Sequence, residues 1–314
     1  MLSRTADSLY WLSRYVERAD YLARTIEAAA RLSSLPTTYA AGETNEWESA
    51  VATAGCGSIF HETHEIATAE TVSAFLIASP DNPTSIVKCL EIARSNARAI
   101  RTALTSEMWE TINGAWLELQ RLNVRSLGPG EMPKFLAWVK ETSLRVDGSG
   151  YRTMLRNDAY WFSRLGIAVE RADNTARILD VKYHILLPEN AAVGGGIDYS
   201  QWAAILRAVS ALTSYHWVYR ESLKPWLIAD LLILNTQMPR SLAACYRDIV
   251  ANLDELAGAY NSPGPAQRAA RTVHRQLSST KIEQVFQHGL HEFITKFITD
   301  NNALGSAISG QYLI

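Results

Sequence analysis

Two stretches decide the fold: LSRYVERADYLARTIE at residues 12–27 and LGIAVERADNTARILD at residues 165–180. They align without a gap at an offset of 153 residues. Leu12, Val16, Glu17, Arg18, Ala19, Asp20, Ala23 and Arg24 match Leu165, Val169, Glu170, Arg171, Ala172, Asp173, Ala176 and Arg177. Within the first, Leu9, Leu12, Val16, Ala19, Ala23 and Ile26 recur at alternating spacings of three and four. That is the apolar seam of a helix packed against other helices. Phe162, Leu165, Val169, Ala172, Ala176 and Leu179 repeat the seam, and its alanines leave room for a close helical neighbour.

A second pair of segments keeps the same order. FLIASPDNPTSIVKC from Phe75 aligns with LLILNTQMPRSLAAC from Leu231 at an offset of 156, so Pro83, Ser85 and Cys89 match Pro239, Ser241 and Cys245. Two matches in one order at nearly one offset point to a duplicated unit. The expected organisation is one all-α helical-bundle domain over residues 1–314, made of two diverged internal repeats at about 1–145 and 150–310. Period-two alternation is nearly absent, and segments such as 84–122 and 239–258 are rich in Ala, Leu, Arg and Glu. Loops are expected at 126–133, 187–200 and 261–267, where Gly, Pro, Ser and Asn gather. Pro83 and Pro239 are expected at the first position of a helix, where the missing amide costs nothing, with Asn82 capping the first of them.

Composition narrows the class. The 314 residues are 47% hydrophobic and 20% charged, enough apolar material for a large core. A formal charge of −2 gives no global field to recruit nucleic acid or an anionic membrane, so neither is an expected partner. Cys56, Cys89 and Cys245 are odd in number and lack CxxC spacing, which suits a reducing, cytoplasmic setting. The N-terminal stretch meets charged residues at once and is not read as a signal peptide; no run approaches the roughly 20 apolar residues of a membrane span. No metal is expected: His61-Glu62-Thr63-His64 misses HExxH by one position, and ExxH occurs nowhere. Gly194–Gly196 is not GxGxxG, no GxSxG occurs, and no cofactor is expected.

The polar residues beside the seam carry the chemistry. Tyr10, Arg14, Glu17, Tyr21 and Arg24 form a stripe one residue beyond it; the aligned residues are Ser163, Ile167, Glu170, Asn174 and Arg177. A stripe so placed borders the core instead of facing solvent. Arg18 and Arg171 point about 100° away from the glutamates they follow, so they cannot pair with them along the helix. One reading is a set of ion pairs between the two related helices, each glutamate meeting arginines of the other half. The other is a pocket there, with arginines gripping a carboxylate or phosphate and Glu17 or Glu170 acting as general base. At the second site, Thr84 and Ser85, or Arg240 and Ser241, crowd a helix N-terminus that favours an anion or is simply capped. The aromatics of TSYHWVYRES, 213–222, line a pocket or the core.

The sequence resembles the alpha-E domain family, named for an alpha-helical domain with an ER motif. The resemblance rests on MLSRTADSLYWLSRYVERADYLAR, on ARSNARAIRTALTSEMWETIN at 93–113, on VERADNTARILDVKY at 169–183 and on MPRSLAAC at 238–245. It implies an all-helical module of cytoplasmic bacterial systems, fused to or encoded beside a circularly permuted ATP-grasp ligase, often with a transglutaminase-like peptidase. It places the family's motif residues on Glu17, Arg18, Arg98, Glu170, Arg171 and Arg240. The expected function is an accessory or substrate-binding module for that ligase, holding an acidic peptide or carboxylate on Arg14, Arg18, Arg24, Arg98, Arg171, Arg177, Arg240 and Ser241. The alternatives are an amide hydrolase or transferase using Glu17 or Glu170, and a purely structural assembly protein.

Overall fold

A computed structural model describes residues 1–34, 45–128, 130–184 and 196–313. The described residues form fifteen α-helices and one short 3₁₀ turn, with no strand. In chain order they are α1 (Ser3–Ser33), α2 (Glu46–Thr53), α3 (Gly57–His61), α4 (Ala69–Ala78), α5 (Ile86–Ala99), α6 (Ser106–Leu119), α7 (Met132–Thr153) and α8 (Asp158–His184). There follow α9 (Gly196–Ala208), α10 (Leu212–Tyr219), α11 (Pro225–Ile233), α12 (Leu242–Tyr260), α13 (Pro265–Ser279), α14 (Ile282–His288) and α15 (Leu290–Tyr312). Among the described residues no helix is long and apolar enough to cross a membrane.

The two seam helices, α1 and α8, pack on each other at the centre. Every seam residue of both is buried, from Leu9 to Ile26 and from Phe162 to Leu179. Each is then walled by later helices: α5 and α7 lie on α1, α12 and α15 on α8, and the outer helices α6 and α13 close against α5 and α12. Because α1 is covered on several sides, its polar stripe is buried as well, with Arg14 alone partly exposed. A mid-helix glycine sets the closest approach. A Cβ on Gly166 would lie 2.3 Å from the Tyr10 backbone oxygen, so only glycine lets the helices come this near. Beside it, the Ser13 and Ser163 hydroxyls hydrogen-bond across the crossing at 2.8 Å.

Local chemistry explains most boundaries, and it moves some of those expected. The segment 84–122 is not one helix: α5 ends at Ala99, and Thr105 caps α6 by accepting from the Met108 amide. Pro83 and Pro239 are not first helical residues but lie three positions upstream, and the caps are Ser85 and Ser241. Asn82 instead folds the turn before α5, taking the Thr84 amide and hydroxyl on its Oδ1. The loop expected at 187–200 falls outside the described residues as far as 195, Gly194 and Gly195 included; from Gly196 onward the chain is α9. The loop at 261–267 is shorter than expected, since Asn261 ends α12 with φ 48° and Pro265 already opens α13.

Candidate functional site

The site grows from the α1–α8 crossing. Glu17 and Glu170 sit on facing sides of the two helices, only 3% and 2% exposed. A carboxylate so buried requires cationic partners, and each has two. Arg171 closes a two-pronged pair on Glu17, Nε to Oε1 at 3.0 Å and Nη2 to Oε2 at 2.9 Å. Arg18 does the same to Glu170, at 2.6 and 3.1 Å. The arginine following each glutamate therefore serves the glutamate of the other helix.

The second cation comes from a different place for each glutamate. Glu170 takes Arg14 Nε at 2.7 Å, one turn before Arg18. The position aligned with Arg14 is Ile167, which cannot donate; Glu17 instead receives Arg240 Nη1 at 2.7 Å from the turn before α12. Where Arg240 stands, the other half has Thr84, which bonds Asn82. An arginine is thus absent at one aligned position and present at another, and both carboxylates end with the same charge balance.

Asp20 and Asp173 extend the network. Arg24 donates to Asp20 within α1 at 2.7 Å and Arg177 to Asp173 within α8 at 2.6 Å. Arg240 bridges to Asp20 at 2.9 Å, tying Glu17 and Asp20 together. Arg24 also reaches the Ala208 carbonyl at 2.8 Å and the Ser210 hydroxyl at 3.0 Å, satisfying the end of α9. The Asp20–Arg24 pair is buried, so it is not the weak exposed pair that its spacing alone suggests. Altogether seven guanidiniums (Arg14, Arg18, Arg24, Arg164, Arg171, Arg177, Arg240) meet five carboxylates (Glu17, Asp20, Asp147, Glu170, Asp173), an excess of two positive charges.

Protonation follows from this arrangement. Burial pushes the Glu17 carboxyl up, but Arg171 and Arg240 together outweigh it and hold it low, at about 2. Burial acts on Glu170 in the same way, and Arg14 and Arg18 likewise bring it below the usual carboxylate range. Burial draws Arg14, Arg18 and Arg171 down, and the carboxylates reverse this so firmly that all three are raised. Burial pushes the Cys89 and Cys245 thiols up to about 12, so neither is a ready nucleophile.

Not every expected residue joins the centre. Arg98 lies on the exposed face of α5. Ser241 is a helix cap, accepting from the Ala244 amide at 3.0 Å and donating to the Asn235 carbonyl. Arg240 is committed to Glu17 and Asp20, so it is not held free beside that helix end. In the 213–222 stretch Tyr215 is core, its hydroxyl donating to the Ser222 carbonyl, whereas Trp217 is 75% exposed. His61 contacts Glu48, and no group of potential metal ligands occurs among the described residues. Sequence reasoning missed the Ser13–Ser163 bond and the close approach at Gly166. A lone glycine within an otherwise strong helix pattern was the available signal.

Open space lies on one flank. A groove of about 240 Å³ is lined by Tyr151, Tyr160, Arg164, Arg171, Asp248 and Asn252, with Cys245 and Ala251 among its other walls. A second, smaller space of about 20 Å³ reaches Glu17 between Ser13, Ser163 and Asp147, room for little more than a water molecule.

The chain is similar to uncharacterized proteins of Mycobacterium bovis and Mycobacterium tuberculosis, at 21% identity over 324 aligned residues and 96% of its own length. It spans only 35% of the length of those relatives. No solved structure matches it. The family model described as a predicted alpha-helical domain with a conserved ER motif matches residues 1–313. Glu17-Arg18 and Glu170-Arg171 are the two Glu-Arg pairs within those residues, and the chain belongs to the Alpha-E family.

Proposed function

We propose that this chain is a non-catalytic helical module that works with an ATP-grasp amide ligase in the cytoplasm, presenting a carboxylate-bearing peptide or holding the ligase itself. The observation that carries this reading is the state of the two glutamates. Each is buried, gripped by two arginines and held in its ionised form. A general base works best with a pKa near the operating pH and an open path to the proton it takes. Glu17, at about 2 and occupied on both oxygens, has neither. This speaks against a hydrolase or transferase built on these residues. The relatives' greater length supports a module that acts beside other protein segments, and a transglutaminase-like peptidase is a further partner in this scheme.

The test is reconstitution with an ATP-grasp ligase of the proposed class. ATP-dependent amide formation is measured with and without the chain, and complex formation by sedimentation. A bound complex with faster or more selective ligation is expected. No complex and an unchanged rate would reject the module reading. A purely structural assembly role draws on a different surface, where Trp217, Val218 and Trp226 are exposed on α10 and α11; self-association of the chain alone in the same experiment would favour it.

A further inference from the structure

We propose that the groove between α7, α8 and α12 is a binding site for a peptide carboxylate, and that Arg171 is the residue joining this site to the buried Glu-Arg centre. The inference deepens the binding-module reading and rests on it.

The chemistry begins with how Arg171 is used. Its Nε and Nη2 face Glu17, which occupies one edge of the guanidinium. Its Nη1 makes no hydrogen bond among the described residues, Asp147 Oδ2 stands 3.9 Å from Nη2, and the side chain is 16% exposed at the groove wall. An arginine bound along one edge keeps Nη1, on its second edge, able to donate to another carboxylate. The centre behind it carries two more guanidiniums than carboxylates, so an anion arriving here meets a favourable field.

The other walls fit a peptide. The Arg156 guanidinium stacks 3.9 Å from the Tyr160 ring and 4.8 Å from that of Tyr151, making a flat platform at the mouth. Tyr151 is 58% exposed although it is a large aromatic residue. Asn252 donates its amide to the Asp248 carbonyl and keeps its side-chain oxygen for a peptide N–H. The acidic groups nearby have cationic partners: Arg164 holds Asp147, and Arg247 reaches one oxygen of the exposed Asp248 through Nε and Nη2 at 2.9 and 2.8 Å. The Cys245 thiol, with burial pushing it up to about 12, contributes shape and not reactivity.

Size sets the ligand class. Sites that engulf a whole small molecule occupy roughly 300–1,000 Å³, and this groove has about 240 Å³. It suits the end or one side chain of a longer ligand. In the other half of the chain the positions aligned with Arg164 and Ile167 hold Trp11 and Arg14. These stack 4.9 Å apart and Arg14 is spent on Glu170, while Arg18, which aligns with Arg171, has its guanidinium 5.4 Å from the Tyr15 ring centre. The proposal therefore assigns one ligand to each chain.

Calorimetry on the full chain tests it with three peptides: Ala-Ala-Ala with a free C-terminus, and acetyl-Ala-Glu-Ala-amide and acetyl-Ala-Gln-Ala-amide. The first presents a terminal carboxylate, the second a side-chain carboxylate, the third neither. At least one of the first two is expected to bind at one site per chain, about tenfold or more tighter than the third. Ala251→Trp, at an exposed position on the groove wall, is expected to abolish that difference while leaving thermal stability unchanged. Arg171→Lys keeps a charge on Glu17 but loses the second edge, and is expected to weaken binding similarly. No preference for either carboxylate peptide, or a preference that survives Ala251→Trp, would overturn the site. If that happens while the ligase is still stimulated, the groove is wrong and the module reading stands. Peptide binding without any complex with the ligase would reject the module reading and keep the groove.

Discussion

Replacing Glu17 with Gln tests the centre most directly. The carboxyl is held from an ordinary 4.5 to about 2 in the folded chain, with burial opposing and Arg171 and Arg240 prevailing. A group whose pKa is lower folded than unfolded stabilises the fold above its unfolded pKa, and that stabilisation drains away as pH falls through its folded pKa. The displacement is worth about 3 kcal/mol at neutral pH. Removal of one partner from a buried pair typically costs about 3–5 kcal/mol, which is consistent. Unfolding entropy of roughly 2.1 cal/mol/K per residue gives about 0.66 kcal/mol/K for 314 residues. Glu17→Gln is therefore expected to lower Tm by about 5 °C at pH 7. The gap to the unmodified chain should narrow as pH falls from about 4.5 towards 2, because the unfolded chain's Glu17 then takes up a proton that the folded, arginine-held carboxyl still refuses. Circular-dichroism melts of both proteins at several pH values measure this. A Tm unchanged at pH 7, or a gap that stays constant down to pH 2, would refute an ionised Glu17 stabilised by these arginines.

The remaining predictions are simpler. Gly166→Ala places a Cβ against the Tyr10 carbonyl and is expected to cost about 1–3 kcal/mol by overpacking; denaturant midpoints equal to those of the parent would show that the helices can part freely. Arg240→Ala removes charged hydrogen bonds from both Glu17 and Asp20 and is expected to destabilise by about 2 kcal/mol or more, whereas exposed Arg98→Ala should stay within about 0.5 kcal/mol. Equal effects of those two would contradict the placement of Arg240. Cys89 and Cys245 should resist iodoacetamide at pH 8 in the folded chain and react on denaturation, as mass spectrometry would show; rapid labelling of native protein would mean the core opens at α5 or α12.

The contrast between Arg18 and Arg240 shows how far the sequence reaches. Arg18 and Arg171 had to turn away from their neighbouring glutamates, because consecutive helical residues diverge by about 100°. That reading required only helix geometry, and it already pointed each arginine towards another helix. The seam of leucines, valines and alanines likewise made α1 and α8 central by its period alone. Boundaries were less legible. Pro83 and Pro239 read as helix starts from residue type, but the caps are the serines two positions later, since Asn82 and Asn235 hold the preceding turns through their side chains.

The sequence by itself determined an all-helical chain, its two ERAD helices and the need of their buried charges for partners. Periodicity and desolvation are local or universal constraints, legible one residue at a time. Tertiary structure alone decided which charge meets which. Arg240 reaches Glu17 across 223 positions of sequence, and it is needed because Ile167 replaces the arginine that Glu170 obtains from Arg14. Only the packing of α12 on α8 brings that substitute within reach, and only the crossing at Gly166 brings the two glutamates close enough to exchange arginines. The groove beside Arg171 depends on three separate helices, so no spacing within any one of them could announce it.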